Sequence, residues 1–113
     1  MDINAVNSEY IDVNDALNRI GGNMDLYKRL LKRFVDGSQI EELQTAVNGD
    51  SLEDSVRQAH TLKGVSANLS LLKLKTIAAD LESALKDGLD TSAMLAELMV
   101  VYDDTVKMIR ELL

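Results

Sequence analysis

The chain has 113 residues, 46% of them hydrophobic, with no proline, no cysteine and a single histidine. Twelve Lys and Arg against nineteen Asp and Glu leave a net charge of -7, which argues against nucleic acid as a partner, because that affinity comes from neutralising phosphates with cations. Disulfides, thiolate metal sites and a histidine-rich zinc site are excluded by composition, and no apolar run reaches the ~18 residues of a membrane span.

The length is that of one domain, expected over residues 1–113. Met1-Asp2 opens no signal peptide, so a soluble, cytoplasmic protein is expected. The lack of proline and the many leucines and alanines favour long unbroken helices. Asp12 with Asp15 opens a short helix that ends near Ile20, closed by Gly21-Gly22. Asn23 caps the next, whose apolar positions Leu26, Leu30 and Phe34 recur at helical spacing. Gly37 and Ser38 break or bend the chain, and Ser38-x-x-Glu41 predicts a capping box for a helix carrying Ile40, Leu43 and Val47 and stopped by Gly49.

Ser51-x-x-Asp54 opens a helix over about 52–69. After a turn at Ser70-Leu71, Lys73 through Lys86 carries Leu74, Ile77, Ala78, Leu81 and Leu85 inward, with Gly88 as its C-terminal stop. The last helix starts after Asp90-Thr91 and places Leu95, Leu98, Tyr102, Ile109 and Leu112 roughly on one side. Amphipathic helices joined by short turns predict an all-α fold, an antiparallel up-down four-helix bundle with an additional short N-terminal helix. Met94, Met99 and Met108 read as core filler. Asp103-Asp104 reads as a solvated face, since adjacent helical residues point ~100° apart, and Lys28, Arg29, Lys32 and Arg33 as the wet side of their helix.

The chemistry concentrates in Ala59-His60-Thr61-Leu62-Lys63-Gly64-Val65-Ser66. With Ala59 at zero and ~100° per residue, Leu52, Ser55, Leu62, Ser66 and Leu69 form an inward stripe. His60 falls at ~100°, roughly 130° from the stripe's centre, and should face solvent. Glu53, Val56, Lys63, Gly64 and Ala67 share its side. Glycine inside a helix costs ~1 kcal/mol relative to alanine, so Gly64 needs a reason other than helix formation, and clearance over the imidazole is one. Lys63, one turn from the ring, suits an anion attached to it. An unperturbed imidazole titrates near ~6.5, so a neutral ring nitrogen is available as a nucleophile at neutral pH.

The run His60-Thr61-Leu62-Lys63-Gly64-Val65-Ser66, with Leu69, Ala78 and the pair Leu81-Glu82, resembles the signature of histidine-containing phosphotransfer (HPt) domains of two-component phosphorelays. The upstream segment Ile20-Gly21-Gly22-Asn23, Leu26-Tyr27, Leu30-Leu31 and Phe34 is also similar to the start of such domains, so the resemblance spans about Ile11 to Gly88. One departure is visible: Ser70-Leu71 stands where the family commonly has Gly-Ala. The resemblance implies that His60 is the phospho-acceptor, Lys63 the phosphoryl charge partner and Gly64 the source of steric clearance. Around them Glu53, Val56, Arg57, Ala67 and Asn68 are expected to form the partner-binding face. The implied function is a phosphorelay carrier, accepting a phosphoryl group from one receiver-domain aspartate and passing it to another. Its expected partners are response-regulator receiver domains and, in some contexts, a hybrid sensor kinase, with the carrier itself a monomer. No cofactor is expected on this chain; the metal ion is expected on the receiver. No phosphate loop of the G-x-x-x-x-G-K type is present, so it is not expected to be an enzyme in its own right. The alternative is a helical docking or inhibitory module that binds a receiver or kinase and carries no phosphate. An excised domain of a larger kinase would keep the same chemistry.

Overall fold

The computed structural model describes residues 8–49 and 51–113, so the Met1-Asp2 opening lies outside the described residues. The helices follow in the order α1 Val13–Arg19, α2 Met24–Asp36, α3 Gln39–Asn48, α4 Leu52–Asn68, α5 Leu72–Lys86 and α6 Ser92–Leu112. They form an antiparallel up-down four-helix bundle. Its first leg is broken at Gly37-Ser38 into α2, which packs on α6, and α3, which packs on α4. The other legs are α4, α5 and α6, and α1 is the additional short helix. The interface between α4 and α5 is the most extensive in the molecule.

Short polar side chains start three of these helices. Asp12 accepts from the Asp15 amide at 3.0 Å, Asn23 from Leu26 at 3.0 Å and Ser51 from Asp54 at 3.2 Å, each satisfying an amide that the first turn leaves unpaired. The capping box expected at Ser38 does not form. Ser38 sits at φ -112°, ψ 17° and makes no side-chain cap bond, whereas Ser51 is extended at ψ 105°, the conformation that aims a hydroxyl along the following turn.

The core needs two further corrections. On α2 the buried side chains are Tyr27, Leu31 and Phe34, while Leu26 and Leu30 are only partly covered. The buried stripe lies about one residue further round because Tyr27 has somewhere to put its hydroxyl: it donates to the Leu69 carbonyl at 2.8 Å, so the ring is buried without an orphaned polar atom. Leu52 is 55% exposed rather than inward; it is the first residue of α4, at the exposed end of the helix. Elsewhere the inward faces are as the spacing implies. Leu74, Ile77, Ala78, Leu81 and Leu85 of α5 are buried, as are Leu98, Tyr102, Ile109 and Leu112 of α6; Leu95 is half-buried, and Met94, Met99 and Met108 pack against the core from its edge. At roughly 1.5–3 kcal/mol per fully buried large aliphatic side chain, this shared core fixes how α4 and α5 lie against each other.

The α4–α5 turn shows what replaces glycine there. Ser70 has φ 55°, a left-handed conformation that costs an L-residue about 1–2 kcal/mol. Its buried hydroxyl donates to Asp15 Oδ2 at 2.8 Å and accepts from Arg19 Nη2 at 2.9 Å, two charge-assisted bonds of the size needed to offset that cost. Backbone bonds from Asp12 N–H to the Ser70 carbonyl (3.0 Å) and from Leu72 N–H to the Tyr10 carbonyl (2.7 Å) lace the α1 entry onto the same turn. Hence the chain keeps the tight hairpin without the usual glycine.

Candidate functional site

The α4 residues Ser55, Ala59, Leu62 and Ser66 are buried, which turns the opposite side of the helix outward. His60 lies there, its side chain 65% exposed. Directly across the hairpin, Glu82 of α5 is 7% exposed, in register with the inward residues Ala78, Leu81 and Leu85. A buried carboxylate costs several kcal/mol unless it is paired, and three cationic or donor groups meet it. Lys63 Nζ stands 2.7 Å from Oε1, His60 Nδ1 3.0 Å from Oε2 and Lys86 Nζ 3.2 Å from Oε2. The Lys63 ammonium, then the Lys86 and His60 bonds, outweigh desolvation and hold the Glu82 carboxyl at about 2, well below the ordinary carboxylate range.

That ionisation decides the imidazole tautomer. An ionised carboxylate only accepts hydrogen bonds, so Nδ1 must carry the hydrogen it shares with Glu82. A neutral ring then keeps its lone pair on Nε2, the nitrogen on the far side of the ring. The buried acid thus orients the ring, fixes which nitrogen is free and anchors Lys63 one helical turn away. Gly64, on the next turn, is exposed, and among the described residues a Cβ built there meets nothing within 4 Å. No described neighbour requires its small size. What a side chain at 64 would occupy is the space over α4 beside His60.

The structure divides the expected docking face. Glu53 is exposed, and Val56 and Ala67 are half-buried on the His60 side; Val56 also packs against the core, so it is less free than a surface residue. The Ala67 carbonyl accepts from Arg19 of α1. Arg57 turns away, ion-paired to Asp54 and lining a groove shared with Glu41, Thr45 and Ala46 of α3. Asn68 lines a separate cleft of about 410 Å³ against Leu30, Phe34 and Val65, rimmed by Arg19 and Arg33. Among the described residues no group of acidic or histidine side chains is arranged to hold a metal ion, and no helix is long and apolar enough to cross a membrane. Of the basic run on α2, Lys32 pairs with Asp36 at 2.9 Å on the surface. Asp104 accepts from the Tyr10 hydroxyl at 3.4 Å.

Glu82 and Lys86 are the site residues that spacing alone does not single out. In the sequence Glu82 stands out only as part of a motif and Lys86 only as the end of a helix. Their α5 positions, four residues apart, would have flagged an i,i+4 pair, but the partner that matters, His60, is 22 residues away in sequence.

The family model described as the Hpt domain matches residues 29–112. No curated protein and no solved structure matches the chain.

Proposed function

The chain belongs to the Hpt domain family, and from that premise we propose that it is a phosphorelay carrier whose acceptor atom is His60 Nε2. The observation that carries this reading is an exposed lone imidazole whose Nδ1 is engaged by a buried, ionised carboxylate at 3.0 Å. In the proposed step the Nε2 lone pair attacks the phosphorus of a receiver's aspartyl phosphate in line with the acyl oxygen. The Nε2–P bond forms as the O–P bond breaks, and the aspartate leaves as a carboxylate with the bonding pair. The ring becomes an N-phosphoimidazolium whose positive charge faces Glu82 through the Nδ1–H bond. Transfer onward is the same step reversed on a second receiver.

Such a reaction is mostly positioning and charge neutralisation. Glu82 supplies ring orientation, Lys63 a counter-charge for the phosphoryl oxygens and Gly64 an open approach. The metal ion and the remaining catalytic groups are assigned to the receiver. Incubation with a phosphorylated receiver should place acid-labile, base-stable phosphate on the protein and none on His60→Gln, since no second histidine is present. Tight receiver binding with no phosphate ever acquired would make the chain a docking module instead.

A further inference from the structure

We infer that the cleft between α2 and α4, bounded by the end of α1, binds a small amphipathic carboxylate: an apolar ring or branched body with one anionic head and one hydrogen-bond donor. The assignment does not rest on the phosphocarrier reading. Val65 and Leu69 of the cleft follow His60 by five and nine residues, so they lie about 140–180° round α4 from the imidazole and roughly 7–14 Å further along the helix. The floor is apolar, with Phe34 and Leu69 buried and Ile20, Leu30 and Val65 half-buried around them. Its volume of about 410 Å³ is that of a small-molecule site, whereas a stable protein partner needs an extended face of about 800 Å².

Charge gives the ligand its sign. On a chain of net charge -7, this cleft is rimmed by Arg19 and Arg33 and lined by no acidic residue. Two other surface clefts have the opposite balance: Glu41, Glu42 and Asp54 against Arg57, and Glu9, Asp80 and Glu97 against Lys73. Arg19 is already committed, ion-paired to Asp15 and donating to Ser70 Oγ at 2.9 Å and to the Ala67 carbonyl. Arg33 has no ion pair among the described residues, so its guanidinium is the group left to grip a carboxylate, for which its planar fork is suited. The donor is called for by Gln39, whose Oε1 is buried in the cleft wall with no hydrogen-bond partner among the described residues. An orphaned acceptor costs about 1–3 kcal/mol. The last torsion of a glutamine is soft, so the amide can turn that oxygen to an N–H or O–H that enters beside it.

Indole-3-propionate carries all three features and serves as the probe, titrated into the whole protein while methyl ¹H–¹³C spectra are followed. The methyls of Ile20, Leu30, Val65 and Leu69 should shift saturably, with an affinity of about 1 mM or tighter for a ligand this small. Leu89, Val100 and Leu113, exposed elsewhere, should stay still, which general hydrophobic adhesion would not allow. Indole-3-propionamide, without the charge, and 1-methylindole-3-propionate, without the donor, should each bind at least about three-fold more weakly. Arg33→Gln should weaken the acid by at least about three-fold and leave the amide unchanged. Gln39→Leu should bind the parent and its N-methyl analogue alike. The absence of a saturable shift at those four residues, either analogue binding wild type as tightly as the parent, or an Arg33→Gln protein that binds the acid as wild type does, overturns the assignment.

Discussion

Gly64→Gln separates folding from function at one residue. Gly64 lies within α4, has no left-handed backbone and, among the described residues, no neighbour that a side chain would meet, so the described fold gains nothing from its being glycine. Glutamine is the better helix former by several tenths of a kcal/mol. At ~4–8 °C per kcal/mol for a domain of about this size, the melting temperature should rise by roughly 2–5 °C. Function should move the other way, because position 64 follows His60 by one turn, where side chains i and i+4 stand about 5–6 Å apart. In the proposed relay step, a glutamine there occupies the path by which a receiver's active site would reach Nε2. Phosphotransfer should slow at least about ten-fold, equivalent to ~1.4 kcal/mol of barrier. Gly64→Ala grades the effect: it should be the most stable of the three and intermediate in rate. Melting curves beside rapid-quench single-turnover transfer give both orders. A Gly64→Gln protein that transfers at the wild-type rate, or one whose rate falls only because it is destabilised, refutes the steric account.

At the hairpin, Ser70→Ala should lose about 1–2 kcal/mol in urea unfolding, since it keeps the left-handed cost and gives up both bonds to Asp15 and Arg19. Ser70→Gly removes that cost as well and should be the more stable of the two, reversing the usual preference for alanine; Ala above Gly would mean the turn is not held this way. Glu82→Gln should change the acid profile. The carboxyl's folded value of about 2 lies below its ordinary 4.5, so its ionisation adds stability that is fully present above about 4.5 and lost as pH falls through about 2. The gap in melting temperature between wild type and Glu82→Gln should therefore be flat from pH 7 to 5 and narrow from about 4.5 toward 2. A gap that is constant across that range would show that Glu82 does not draw its stabilisation from ionisation.

Local chemistry made most of the fold legible. Asp12, Asn23 and Ser51 cap as their spacing implies, because a cap needs only a short acceptor side chain and an extended residue within one turn. Ser38 has the acceptor but not the backbone conformation, which no side-chain pattern reveals. On α2 the choice between Leu26, Leu30 and Tyr27, Leu31 was a matter of one residue of rotation. A distant carbonyl at Leu69 settled it by giving the Tyr27 hydroxyl a partner. The turn at Ser70 likewise depends on Asp15 and Arg19, more than fifty residues earlier.

The site divides along the same line. The outward placement of His60 and the openness at Gly64 are properties of one helix, and a 100° rotation per residue recovers them. Glu82 is a property of two. On α5 alone it stands among Ala78, Leu81 and Leu85, and a carboxylate on an apolar face reads as a misfit or a residue at its margin. Its meaning appears only when the α4–α5 hairpin brings Lys63 and His60 over it, so that the cost of burying one charge is met by the groups the proposed reaction needs in place. The same contact that makes the carboxylate tolerable in the core also directs the imidazole's free nitrogen outward. Stability of the hairpin and orientation of the proposed nucleophile are therefore coupled through one residue, and a substitution at Glu82 should disturb both.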